Sequence, residues 1–142
     1  MRYRFTLRPR PRNMAIWTLE HYHEDKRQME DYKKQFIPSG TAPYSPTGGI
    51  NAGELGRPTE QAALKIASSP YLRTMEWNIA AVERALDKLD EIDLNIIDMV
   101  YWKKSHTVEG AGMKVGLSRR AAYDHINNIL CRVALEMGLV NI

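Results

Sequence analysis

Arg119, Arg120, Tyr123, Asp124 and Asn127 are residue types that can read the edge of a base pair, gathered within nine residues. Arginine offers guanine O6 and N7 two parallel donors, asparagine pairs with adenine N6 and N7, and a carboxylate accepts from cytosine N4. Asp124 has a second use, orienting a neighbouring arginine. Just upstream, Lys103-Lys104-Ser105-His106 forms a basic corner. Together with Thr107 and Ser118, which open helices, it suits phosphate, where lysines and helix-terminal amides fix position and carry no sequence information. The plain alternative for the corner is a solvated loop.

These side chains need two helices and a tight turn. Thr107 is placed to cap the first helix, with Glu109 in its first turn, where a carboxylate favours the positive end of the helix dipole. Val108, Ala111 and Val115 share a face, and Gly116 suits the positive φ of a helix end. Ser118 is placed to cap a second helix carrying Ala122, Ile126, Ile129 and Val133 on its inner face, with His125 a packing residue beside it. Gly110 and Gly112 each cost a helix about 1 kcal/mol relative to Ala, so a crossing helix packed on one of them is expected. The pattern is a helix-turn-helix, whose second helix enters the major groove. The general alternative is a helical hairpin with a tight corner.

The residues Tyr101-Trp102, Thr107, Glu109-Gly110, Met113, Leu117-Ser118-Arg119-Arg120 and Ala122-Tyr123 resemble the C-terminal part of the RinA/ArpU family of phage transcriptional regulators. That part is in turn similar to the region of sigma factors that reads the −35 promoter element. The chain departs from the family pattern at Ala111, where a larger apolar residue is usual, at Gly112, where Ala is usual, and at His125, usually aromatic. The likeness continues more weakly upstream and leaves out the first dozen residues. It implies a sigma-region-four-like fold and a phage-encoded activator of late genes that contacts host RNA polymerase.

Composition bounds this reading. The chain has 142 residues, 44% hydrophobic and 26% charged, with net charge +3, ordinary for one globular domain. No apolar run reaches the roughly 18–20 residues that span a bilayer, and no signal-peptide pattern opens the chain. Cys131 stands alone, which rules out an intrachain disulfide and a cysteine-based zinc finger. A cytoplasmic protein is expected, and the resemblance implies a nucleoid-associated one in a bacterial host. No activated nucleophile, metal cluster or placed carboxylate pair stands out, so neither an enzyme nor a cofactor is expected.

Taken in order, residues 1–12 carry arginines at 2, 4, 8, 10 and 12 and no acid. Pro9 and Pro11 predict an extended basic arm, either lying along DNA or serving as a solubilising tail. Residues 13–36 predict one helix, capped by Asn13, with Met29, Tyr32 and Phe36 recurring at three and four. His21, Glu24 and Asp25 share a helical face and so have the spacing of a metal site, but His23 points elsewhere and no cysteine supports it, so a solvated face is the reading taken. Residues 37–57, with five Gly and three Pro, read as a linker; Gly48, Gly49 and Gly53 lack the Lys-Ser or Lys-Thr of a phosphate loop. Residues 58–142 form the expected DNA-binding domain, with the helix-turn-helix at about 107–137.

Within that domain Pro58 opens a helix and Pro70 breaks or kinks it. Beyond Pro70, Leu72, Met75, Ile79, Val82, Leu86 and Leu89 are spaced 3, 4, 3, 4, 3, an a/d seam. The seam serves either a homodimer on a palindromic site or packing against the protein's own helices. Asp90 is placed to cap a helix over 91–104, with Trp102 closing the core. The sequence thus predicts an all-α protein that binds double-stranded DNA specifically and regulates transcription. Two rivals share the pattern: a DNA-packaging recognition subunit, and a module that binds polymerase and not DNA.

Overall fold

The computed structural model describes residues 6–35, 60–61 and 63–141. Among these no strand occurs, and the expectation of an all-α protein is met. The helices are α1 (Pro9–Glu20), α2 (Tyr22–Lys34), α3 (Pro70–Asp87), α4 (Glu91–Ile97), α5 (Val108–Lys114) and α6 (Arg119–Glu136). A π-helical stretch, Asp98–Trp102, continues α4, and residues 60–61 and 63–68 are also helical. Among the described residues no helix is long and apolar enough to cross a membrane. The chain divides into two compact units, Met1–Tyr22 with Asn78–Ile142, and His23–Trp77.

The first unit is built on a core of Leu19, Val82, Ile96, Ile97, Ile126, Ile129, Leu130 and Val133, all fully buried. Each such side chain contributes about 1.5–3 kcal/mol by leaving water. Tyr101 and Cys131 lie in the same core. Burial pushes the Tyr101 hydroxyl up to about 12 and raises the Cys131 thiol, and the nearby Arg12 guanidinium offsets part of both shifts. In the second unit Met29, Ile66 and Met75 are buried, and Lys33 Nζ lies 3.7 Å from Glu76.

The N-terminal expectations need correction. Pro9 to Arg12 are not an extended arm but the first turn of α1, with Arg8 at the cap position and Arg12 N–H donating to the Arg8 carbonyl at 3.1 Å. Proline is compatible here because first-turn amides have no intrahelical acceptor to lose. Asn13 is therefore an interior residue and caps nothing. The helix expected over 13–36 is two helices, parted at His21, with φ −93° and ψ 1°. Its imidazole Nδ1 lies 2.7 Å from the Trp17 carbonyl, the acceptor that its own amide also uses. Such local side-chain bonding competes with helix continuation. Ala15, Thr18, Leu19 and Tyr22 bury one face of this segment, so α1 belongs with the C-terminal region and not with a separate N-terminal part. The expected linker, residues 37–57, lies outside the described residues, as does Pro58.

At Pro70 the break is as expected: Ser69 is non-helical, its hydroxyl accepts from Leu72 N–H at 3.3 Å, and α3 starts at Pro70. The a/d stripe on α3 resolves in favour of self-packing over Ile79, Val82, Leu86 and Leu89, which all join the core of the first unit. Val82 is fully buried and Ile79, Leu86 and Leu89 are partly buried, so that half of the seam is engaged within the chain. Leu72 is half-buried and Met75 buried.

The end of α6 is tied to α3 by one carboxylate. Glu136 accepts from Lys88 Nζ at 2.6 Å and Arg84 Nε at 3.0 Å, while Arg84 Nη2 donates to the Glu136 carbonyl at 3.1 Å. These cations also meet the negative end of the α6 dipole. They hold the Glu136 carboxyl below its ordinary 4.5. Its contribution is therefore present above that value and is lost as pH falls through the lowered one. Glu136→Gln should cost about 1 kcal/mol near neutrality, since both cations are well exposed. Urea denaturation should show that deficit shrinking on acidification below pH 4.5.

Candidate nucleic-acid interface

Helices α5 and α6 are joined by a four-residue turn, Val115 to Ser118, in which Gly116 has φ +81°. Both helices start as the sequence predicts. Thr107 Oγ1 accepts from Gly110 N–H at 3.1 Å, and Ser118 Oγ from Ala121 N–H at 3.2 Å. The close approach falls on Gly112: a Cβ there would meet Ala122 Cβ at 2.6 Å, so this glycine is what lets the two helices touch. At Gly110 the nearest atom is Thr107 Oγ1 at 3.3 Å, which belongs to the cap and not to a crossing helix.

The faces of α6 divide as expected. Ala122, Ile126, Ile129 and Val133 are buried; Arg119, Arg120, Tyr123 and Asp124 are exposed, and Asn127 is half-buried. The five candidates thus share the outward side of the first two turns. Arg119, with 75% of its side chain exposed, is nonetheless engaged: its Nε lies 3.0 Å from Glu109 Oε1 on α5. Tyr123 Oη is 3.5 Å from the same oxygen. Glu109 is therefore part of this surface, a role missed when it was read only as a first-turn acid. Ten residues separate it from Arg119, too far for any local pairing rule to flag it.

The basic corner is shaped differently from its expectation. The helix ends at Trp102, and Lys104 adopts φ +52°, a left-handed conformation uncommon for a residue with a Cβ. Ser105 and His106 amides both donate to the Met99 carbonyl, at 2.9 and 3.2 Å. Lys103 Nζ pairs with Asp98 at 3.0 Å and Lys104 Nζ with Glu20 at 2.9 Å. Alongside them, Trp102 Nε1 donates to the Leu19 carbonyl at 3.0 Å, satisfying an end group of α1. The corner thus clamps α1, while its two ammonium groups stay about two-thirds exposed.

Beneath α6, His125 is buried, and its Nδ1 lies 2.7 Å from Asp93 Oδ1 on α4. Burial raises the Asp93 carboxyl above its ordinary 3.8, against the lowering effect of the His125 bond; the nearby Asp90 charge raises it further. Asp90 also caps α4, accepting from Asp93 N–H at 2.9 Å. Sequence spacing gives no signal for a pair 32 residues apart.

The metal spacing at His21, Glu24 and Asp25 yields no site. His21 stacks on Trp17 with ring centroids 4.2 Å apart, and Glu24 is engaged by Arg27 and Gln28. Among the described residues no three His, Cys, Asp or Glu side chains are grouped to hold a metal. Gly48, Gly49 and Gly53 lie outside the described residues. Set against models of known protein families, against curated proteins and against solved structures, the chain matches none.

Proposed function

We propose that the chain binds double-stranded DNA in a sequence-specific manner, with α6 as the major-groove helix of a sigma-region-four-like helix-turn-helix. One observation carries the reading. Arg119 and Arg120 stand exposed in the first turn of a capped helix, beyond a tight glycine turn, with its opposite face fully committed to the core. Recognition helices present side chains from this same position. Tyr123, Asp124 and Asn127 extend the reading surface along the groove. Lys103, Lys104 and the capped N-termini at Thr107 and Ser118 contact phosphate, and the exposed pairs to Asp98 and Glu20 are weak enough to exchange. The resemblance to the RinA/ArpU family supports a transcriptional regulator, an activator of phage late genes working with host RNA polymerase.

Selection from a random duplex library tests this directly. The wild type should enrich a motif that Arg119→Ala/Arg120→Ala loses, each arginine being worth about 1–3 kcal/mol. Affinity should fall steeply with salt. Because half of the α3 stripe is buried in the core, a single non-palindromic site is expected. If neither protein enriches a motif, DNA reading is wrong; binding to polymerase that ignores both arginines would then identify a protein-interaction module. A large ring-shaped assembly would instead favour a packaging subunit.

A further inference from the structure

Arg119 has five N–H donors, and the geometry of its ion pair decides which are left for a base. Glu109 Oε1 forms an ion pair with the Nε side of the guanidinium, at 3.0 Å. Neither terminal nitrogen has a partner among the described residues. A guanidinium held by Nε presents its two terminal nitrogens side by side, as an end-on fork. That fork matches guanine, the base whose major-groove edge carries two acceptors, O6 and N7.

Three further features bring Glu109 to Arg119, in a pair as exposed as those of the two lysines. It lies in the first turn of α5, where the helix dipole favours a carboxylate. The Gly112–Ala122 approach fixes α5 against α6, so the distance from Glu109 to Arg119 is set by packing. The same oxygen stands 3.5 Å from Tyr123 Oη, one turn along α6, gathering two of the reading side chains around one acceptor. Arg120 has no such partner among the described residues.

We infer that Glu109 is a specificity-determining positioning residue: it orients Arg119 to read a guanine and keeps it from swinging to a phosphate. The inference rests on the reading of α6 as the DNA-reading helix. An arginine side chain loses considerable rotamer freedom when it binds, and a buttress removes part of that loss beforehand. The carboxylate also repels phosphates, so it weakens contacts that any sequence can offer. Glu109 thereby widens the gap between a correct site and random DNA. An ion pair serving only the fold would leave that gap unchanged.

The test measures fluorescence anisotropy of labelled duplexes with the wild type, Glu109→Ala and Glu109→Gln at one fixed salt concentration. The duplexes are the selected site, its three base variants at the position that Arg119→Ala relaxes, and a scrambled sequence. Glu109→Ala should lose about three- to tenfold of its guanine preference there and bind the scrambled duplex about two- to threefold more tightly. Glu109→Gln, which keeps the side chain's length but removes the charge of the ion pair, should lose nearly as much of the preference as Glu109→Ala. Thermal melting of both variants checks that the fold is retained. Unchanged preference in Glu109→Ala, with a motif still selected by the wild type, overturns the buttress and leaves the reading of α6 standing. Equal tightening on every duplex also overturns it, because Glu109 would then act only as a repelling charge. If the wild type selects no motif, the reading of α6 fails and the buttress with it.

Discussion

Replacing His125 by alanine is expected to cost the folded state about 3 kcal/mol near neutrality. The change strips a buried carboxylate, Asp93, of the imidazole 2.7 Å away, and little water reaches the site. An uncompensated buried charge is the expensive outcome, more so than loss of the imidazole's own packing. Against a total stability of about 5–15 kcal/mol, this is a large share. The pH dependence identifies the cause. Without His125, the carboxyl loses the influence that now lowers it and rises further; protonation then relieves the charge. The deficit of His125→Ala should therefore shrink as pH falls. Asp93→Asn, which keeps an acceptor without the charge, should be milder. In the wild type the folded carboxyl already titrates above its ordinary 3.8, so it holds its proton more tightly when folded. Stability from this group is complete below 3.8 and declines as pH rises through the raised value, a slope opposite to that of Glu136. Urea denaturation of all three proteins at several pH values checks both signs.

Gly112→Ala is expected to destabilise the protein by about 1 kcal/mol, although alanine is the better helix former. Overpacking costs about 1–3 kcal/mol, and occasionally more, while the gain in helix propensity is about 1. The obstruction at 2.6 Å is a Cβ fixed to the backbone of α6, so no side-chain rotation relieves it; the helices must part. Ala122→Gly in the same chain removes the obstructing atom. The double variant should therefore recover part of the loss, and the two substitutions should be non-additive in denaturant titrations. Failure to couple would mean that α5 and α6 yield at this point more easily than their contact suggests.

What was legible in the sequence was local. Thr107, Gly116, Ser118 and Asp90 act where they stand, through caps and a positive φ, and Ala122 and Ile126 follow helical periodicity into the core. Tertiary pairing was not legible. Glu109 with Arg119, Asp93 with His125 and Trp102 with the Leu19 carbonyl join residues 10, 32 and 83 positions apart, and no spacing rule reaches that far. The errors near the N-terminus have a different origin. Proline was taken to forbid a helix, but Pro9 and Pro11 occupy the one turn where a missing amide costs nothing. At His21 the break comes from a side chain competing for a carbonyl, which composition does not reveal. Lys104 gave no warning of its left-handed backbone, since neither glycine nor asparagine marks the position.

The π-helical stretch Asp98–Trp102, closed by the Lys103 amide on the Asp98 carbonyl at 2.8 Å, bears on how this chain tolerates insertions and deletions. An α-helix turns about 100° per residue, so one residue more or fewer normally swings everything downstream around the axis. Here the wider turn takes up an extra residue within the helix and lets Tyr101 reach the core while Trp102 reaches Leu19. Deleting a single residue from this stretch would let it return to ordinary helical geometry with the following segment in nearly the same phase. A one-residue deletion is thus accommodated here with less rearrangement than in the regular α-helices on either side.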